Sequence, residues 1–338
     1  METANMSTST DNGEMEFRLE FGNITLEDIW YNYDIVPLNT TLVTSGNDYE
    51  DILKEQPWKI GAIVIYSIVI LCGFVENATI IGIFIKNKHL HVPINIFIAV
   101  LALSDILLCS FNLPLQLHQQ LTDTWIFGGT MCKIFILSYG IPVFMSSMSI
   151  LLIAVDRYCL IIHPHRPRMS TRTALGSITG TAVFGTLLII PDIVQTEYMV
   201  INVPDLGIYV TFCMEKWSNA ELRLQYTIVT ILLQFFVPLF ATSCLYIQSG
   251  LTLNRNNRNH NQEKKTNNIL IAIAITYLLC WLPLKVFGIL LEFNDNLIPI
   301  HYLNLIYSIL RIVATLSACI NPFLYGWLNY NFRQHLPQ

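Results

Sequence analysis

Charge is scarce in this sequence of 338 residues: Lys, Arg, Asp and Glu make up 13% of it, against 53% hydrophobic residues and a mean hydropathy of +0.49. A water-exposed globule carries about a quarter charged residues, so an ordinary soluble domain is excluded. Positive charge is scarcer still. With 19 Lys and Arg against 24 Asp and Glu, the net charge of −5 leaves no basic face for nucleic acid. The sequence also lacks His and Cys at metal-ligand spacing, a nucleophile placed beside a base, and an inverted repeat. These absences count against a metalloenzyme, a hydrolase and a transporter. None of its long apolar runs alternates with the period of a strand, which argues against a β-barrel.

What is present is seven apolar runs, Trp58–Ile85, Pro93–Leu117, Met131–Ile162, Ala174–Val194, Leu222–Gly250, Asn268–Leu291 and Tyr302–Leu328. At about 1.5 Å per residue, each is long enough as a helix to cross the roughly 30 Å core of a bilayer. Backbone groups in lipid must bond to one another, so these runs read as helices. The expected fold is an all-α membrane protein, a seven-transmembrane helix bundle over residues 58–328. Basic residues collect in the loops on one side: Lys86 and Lys88, then Arg166, Arg168 and Arg172, then Arg255, Arg258, Lys264 and Lys265. Short cytoplasmic loops gather such residues, which puts the N-terminus outside and the C-terminus inside a plasma-membrane protein.

Residues 1–57 read as an extracellular acidic tail, with twelve acids between Glu2 and Glu55 and glycosylation sequons at Asn5, Asn23 and Asn39. Asn77 matches the same pattern but lies inside the first span, where no glycan can be added. Met1–Thr10 has no apolar core, so no cleaved signal peptide is read and the first span would direct insertion. Asp123, Glu197, Asp205, Glu215, Glu221, Glu292 and Asp295 fall in or beside the outer loops, giving an anionic outer face that attracts cations. A solvated, glycosylated tail explains the tail acids equally well.

Of eight cysteines, Cys132 at the outer start of span three and Cys213 in the second outer loop are expected to form a disulfide. The others, Cys72, Cys109, Cys159, Cys244, Cys280 and Cys319, read as small core residues. Within that outer loop, β-prone runs 197–203 and 208–212 flank Pro204-Asp205-Leu206-Gly207, which predicts a hairpin. A hairpin held off the bundle leaves the central cavity open to a large water-soluble ligand.

Polar residues and prolines punctuate the spans in a specific order. Asn77 lies in span one, Leu101-Ala102-Leu103-Ser104-Asp105 in span two, Trp125-Ile126-Phe127-Gly128 before Cys132, and Asp156-Arg157-Tyr158 with Pro164 closes span three. Pro238 and Tyr246 follow in span five, Cys280-Trp281-Leu282-Pro283 in span six, and Asn321-Pro322-Phe323-Leu324-Tyr325 in span seven. Charges at membrane depth are functional by default, and prolines there make hinges. Over residues from about Ile60 to Leu336 the chain resembles the rhodopsin-like (class A) G-protein-coupled receptors. That resemblance implies a short membrane-surface helix after span seven, begun by Asn331-Phe332-Arg333, so that residues 329–338 start a cytoplasmic helix.

Cys213-Met214-Glu215-Lys216-Trp217, Gln234-Phe235-Phe236-Val237-Pro238 and the run from Asn321 to Phe332 narrow the likeness to the neuropeptide Y and neuropeptide F receptor branch. In that branch an acid at the position of Glu292 is implied to pair with an Arg near the amidated C-terminus of the ligand, a contact a carboxylate makes bidentately. The alternative for Glu292 is a surface acid at a helix end. This chain departs from the branch at Tyr139, where a Gln is usual, at Arg311, where a His is usual, and at Gly288, where an Asn is usual. Lys285, two residues beyond Pro283, adds a second cation that must face the cavity or snorkel. The ligand-binding set is thus Glu292, Gln234, Tyr139, Arg311, Lys285, Trp281 and Gly288, and such a cavity suits a ligand carrying Arg together with a carboxylate or aromatic groups. Span four lacks the Trp common in the wider family, having Thr181 and Ala182 there, and Ser147 and Tyr277 stand where bulkier apolar residues or Phe are frequent.

The resemblance also implies a switch. Arg157 would pair with Asp156 and Glu263 in a silent state, and movement at Trp281 and Pro283 would free it to meet a heterotrimeric G protein, possible partners beyond that being arrestin, a receptor kinase and lipid. Tyr158, Tyr246, Asn321, Pro322 and Tyr325 belong to the same machinery. Asp105, Ser146, Ser317 and Asn321 would hold an allosteric sodium ion, the one cofactor implied; the alternative for Asp105 is a protonated or water-bonded carboxyl. Rival readings fit less well. An opsin needs a Lys that span seven lacks, and an amine receptor needs an Asp where Tyr139 stands. A chemokine-type receptor could use sulfated Tyr31, Tyr33 and Tyr49, but the tail has no Cys to tie it to the third outer loop. His89, His91, His163 and His165 read as basic loop residues rather than metal ligands.

Overall fold

The computed structural model describes residues 5–11, 14–20, 51–203, 208–255, 261–293 and 298–328. Seven helices dominate them: α1 (Gln56–Lys86), α2 (Pro93–Thr122), α3 (Gly128–Ile162), α4 (Thr171–Gln195), α5 (Ala220–Asn254), α6 (Asn261–Phe293) and α7 (Ile300–Leu328). All seven are long and apolar enough to cross a membrane. Two antiparallel hairpins accompany them, β1 (Asn5–Asp11) with β2 (Glu14–Glu20), and β3 (Thr196–Val203) with β4 (Ile208–Glu215). The β3–β4 pair is the hairpin expected between α4 and α5, extended at its outer ends. The segment 329–338, the sequons at Asn23 and Asn39 and the tail tyrosines lie outside the described residues. Asn5 opens β1.

Local chemistry sets the helix ends. Pro57 and Pro93 stand in the first turns of α1 and α2, where a missing N–H leaves nothing unpaired. The Ser170 hydroxyl accepts from the Thr173 amide at the start of α4, and the Asn219 side chain accepts from the Glu221 and Leu222 amides at the start of α5. α2 stops at Asp123, whose left-handed φ of 52° ends the ladder. α6 starts several residues before the expected Asn268, because Gln262, Glu263, Lys264 and Lys265 are good helix formers that hydropathy overlooks.

Proline shapes two helices in a way periodicity does not announce. One turn of π-helix, Leu108–Asn112, precedes Pro114 in α2, and another, Leu232–Phe236, precedes Pro238 in α5. The extra residue widens the turn, so that the ring escapes the carbonyl it would otherwise strike. Widening also rotates everything on the outer side of the bulge, and this helps to aim Gln116, Gln120, Tyr226 and Thr230 into the central cavity.

α2 and α3 are the most buried spans and α4 the least. The apolar side chains on the outside, such as Phe240, Leu251, Leu187 and Val75, are exposed because lipid, not protein, is their solvent. The core runs along the inside of the bundle through Phe97, Leu101, Ile150, Phe235, Leu270, Tyr277 and Trp281. α4 lies close against α3 through small residues. A Cβ at Gly185 would sit 2.5 Å from Cδ1 of Phe144, and one at Gly140 would sit 2.7 Å from Cδ1 of Ile189. Gly185→Val should therefore lower the stability of the bundle by about 1–3 kcal/mol, read as a lower thermal midpoint of the purified protein.

Candidate functional site

A cavity of about 350 Å³ opens among the helices at the end of the bundle that carries β3 and β4. Its roof is held open by covalent and backbone ties. Cys132 at the start of α3 is disulfide-bonded to Cys213 of β4, with a Cα–Cα distance of 5.5 Å. Beside it the Trp125 amide donates to the Thr211 carbonyl at 2.7 Å, and Nε1 of the buried Trp125 donates to the Gly128 carbonyl at 2.9 Å. Gly128 has φ of +79°, a conformation that a side chain would strain. The Trp-x-Phe-Gly run thus clamps the hairpin to the α2–α3 turn.

A second tie comes from the residues just before α1. Leu53 is fully buried, Asp51 accepts from the Leu53 amide and from Nδ2 of Asn304 in α7, and Lys54 forms an ion pair with Asp123. Burial pushes the Lys54 ammonium below its ordinary pKa, with Asp51 opposing. The end of the tail is therefore part of the rim.

The cavity wall holds most of the expected ligand set. Gln234, Tyr139, Arg311, Lys285, Gly288 and Glu292 all line it. Gly288 has no neighbour where a Cβ would stand, so its small size enlarges the space. Nε2 of Gln234 donates to the Gly140 carbonyl at 3.1 Å, which ties α5 to α3. Trp281 sits just below, its ring 6.3 Å from that of Tyr139.

Glu292 is not a surface acid at a helix end. Its side chain is 4% exposed, and its Oε2 accepts from Nη2 of Arg223 in α5 at 3.0 Å. Nothing in the sequence marks Arg223, because it lies at the polar start of a span, where a basic residue reads as a solvated anchor. Glu215 of β4 accepts from Nε1 of Trp217 at 3.0 Å and lines the cavity with Asp192 of α4. Burial pushes the Glu215 carboxyl above the usual carboxylate range, with the Trp217 hydrogen bond opposing. One side of the cavity therefore gathers Glu215 and Glu292 around Arg223, with Asp192 beside Glu215, while Lys285 and Arg311 lie against Tyr139.

Below the floor, aromatic rings run inward. Tyr277 is 5.8 Å from Trp281 and 6.0 Å from Phe235, and its hydroxyl donates to the Val143 carbonyl at 3.4 Å. Nε1 of Trp281 donates to Oγ of Ser317 at 3.0 Å, so the ring stack meets the polar centre of the bundle. There Nδ2 of Asn321 donates to Asp105 at 3.1 Å, and Asp105 is 2% exposed. Among the described residues, Ser146 Oγ and Asn321 Oδ1 are buried with no hydrogen-bond partner. A buried carboxylate with two idle oxygen acceptors close to the same helices is a donor set that suits a hard monovalent cation. Asn77 is buried and donates to the Gly73 and Ala318 carbonyls, locking α1 to α7.

At the opposite end of the bundle, Nη2 of Arg157 lies 3.7 Å from Asp156. Glu263 of α6 and Tyr246 of α5 act on the same guanidinium electrostatically. Nε of Arg157 and the Tyr246 hydroxyl are buried without hydrogen-bond partners among the described residues. Tyr158 packs edge-on against His163, at 6.3 Å. Pro283 and Pro322 lie inside α6 and α7 as expected, and the Tyr325 side chain lies outside the described residues. No cluster of three or more His, Cys, Asp or Glu residues is placed to hold a metal among the described residues.

Comparison with known proteins agrees with this geometry. The family model of the 7 transmembrane receptor (rhodopsin family) matches residues 76–325. The chain is 34% identical over 292 residues to neuropeptide Y receptor type 6 of Oryctolagus cuniculus, covering 81% of this chain and 78% of the relative. It is 31% identical over 307 residues to the neuropeptide F receptor of Drosophila melanogaster, covering 84% and 63%. To neuropeptide Y receptor type 1 of Xenopus laevis it is 31% identical over 303 residues, covering 85% and 82%.

Proposed function

Since the chain belongs to the rhodopsin family of seven-transmembrane receptors, we propose that it is a plasma-membrane receptor for an extracellular neuropeptide and activates heterotrimeric G proteins. The N-terminus lies outside, with the disulfide-tied hairpin, and the Arg157 end faces the cytoplasm. The observation that carries this reading is the line of side chains from the outer cavity through Tyr139 and Trp281 to Ser317 at the polar centre, with Tyr277 packed beside Trp281. A ligand that binds one packing of these rings better than another shifts the balance between the two by that difference in affinity. In the silent packing Arg157 stays beside Asp156; when the inner end of α6 moves away, Arg157 is released to the G protein. A sodium ion at Asp105, Ser146, Ser317 and Asn321 would hold the silent packing by binding to it preferentially.

The ligand carries an Arg near its C-terminus, and Glu292 receives it. A carboxylate accepts from two guanidinium groups at once, so Arg223 orients Glu292 without consuming it. Glu292→Gln is expected to weaken binding of an Arg-containing peptide by about 1.5–3 kcal/mol. Equilibrium competition on membranes measures this, and an unchanged affinity would remove Glu292 from the site.

A further inference from the structure

The cavity holds two cations that the Arg-binding side does not use. Nζ of Lys285 lies 5.5 Å from the centroid of the Tyr139 ring, and the guanidinium carbon of Arg311 lies 4.7 Å from the same centroid. Lys285 is 9% exposed, and Nε of Arg311 is buried with no hydrogen-bond partner among the described residues. Among the described residues neither cation forms an ion pair with a carboxylate. The acids that share the cavity are engaged at its rim: Asp123 with Lys54, Glu292 with Arg223, and Glu215 with Trp217. Asp192 of α4 acts on Lys285 across the space.

Two like charges facing one ring across the cavity repel each other, and Lys285, which is buried, has also lost hydration. Lys285 also lies over the Trp281 ring at 5.8 Å and Arg311 over the Tyr307 ring at 5.4 Å, and these ring quadrupoles return only part of that cost. Lys285 already hydrogen-bonds the Tyr139 hydroxyl; one anionic group lying between the two cations would remove the repulsion and take up the idle Nε–H of Arg311. A carboxylate fits, taking a fork of N–H donors from Arg311 and a single donor from Lys285.

We propose that Lys285, Arg311 and Tyr139 form an anion site at the cavity floor, which receives a free carboxylate at the deep end of the peptide ligand. The inference rests on the peptide-receptor reading, and at this position it replaces the amide that the resemblance implies with an acid. Spacing supports it. Lys285 and Glu292 are seven positions apart on α6, about 10 Å along the helix axis. An extended residue spans about 3.5 Å, so a ligand ending in Arg followed by one residue places its carboxylate at the floor while the long Arg side chain reaches the rim.

The test uses the full-length receptor in lipid nanodiscs and two probes, N-acetyl-Arg-Phe as the free acid and the same dipeptide as its C-terminal amide. The thermal midpoint of the receptor is followed against probe concentration. The free acid should half-saturate the shift at a concentration lower than the amide by about tenfold or more. Arg311→Gln and Lys285→Gln should each bring the two probes within about threefold, and Lys285→Arg should keep the preference. The comparison on the unaltered receptor decides by itself if a variant does not fold. An amide that binds as tightly as the acid, or tighter, overturns the anion site and leaves the peptide-receptor reading intact. Absence of a shift with both probes, or a preference that survives Arg311→Gln, also overturns it. The peptide-receptor reading fails separately, when no peptide drives nucleotide exchange.

Discussion

Arg157→Ala is expected to abolish ligand-driven nucleotide exchange while leaving the receptor at the cell surface. Arg157 lies at the inner end of α3 beside Asp156, within the electrostatic reach of Tyr246 and Glu263, and its Nε is idle. A largely covered guanidinium with a buried, unused Nε–H is not there for stability, because removing it discards a desolvation cost along with a weak contact. On the proposed switch its value lies in the other packing, where it would meet the incoming G protein. Exchange measured on membranes, normalised to surface receptor counted with an antibody to an N-terminal tag, separates the two roles. Loss of surface receptor in proportion to signal would make Arg157 a structural residue.

Cys213→Ser is expected to be the most damaging change at the outer face. The disulfide closes a loop of 81 residues, and the chain-entropy model assigns such a bridge about 4–5 kcal/mol. For a bundle of this size that is a fall in thermal midpoint on the order of 10 °C. Binding should fall further than stability does, since the hairpin would be left hanging from the hydrogen bonds between Thr211 and Trp125 and would be free to cover the cavity. Thermal unfolding and peptide binding of the variant, measured on the same preparation, check both effects. A variant that binds normally after an equal loss of stability would show that the roof does not depend on the bridge.

Much of this architecture can be read from hydropathy, because a bilayer demands long apolar helices and punishes every exception. Asp105, Asp156-Arg157 and Asn321 stand out for that reason, and all of them lie inside the bundle or at its inner end. The β3–β4 hairpin was legible from Pro204 and Gly207 between β-prone runs. Other features depend on which helices meet. The π-helical turns before Pro114 and Pro238 answer to packing, and proline alone does not distinguish a bulge from a kink. Arg223 and Glu292 are 69 positions apart, so nothing in the sequence joins them until α5 and α6 are side by side. Lys285 and Arg311 drew attention as cations at membrane depth, yet their shared ring becomes visible only in three dimensions.

The most direct test is guanine-nucleotide exchange on membranes from cells making this protein, stimulated from outside with a panel of peptides that carry Arg next to the C-terminal residue, as acids and as amides. The expected result is exchange that depends on peptide, saturates, and disappears in Arg157→Ala. Silence toward every peptide, together with movement of a solute through the bundle, would contradict it.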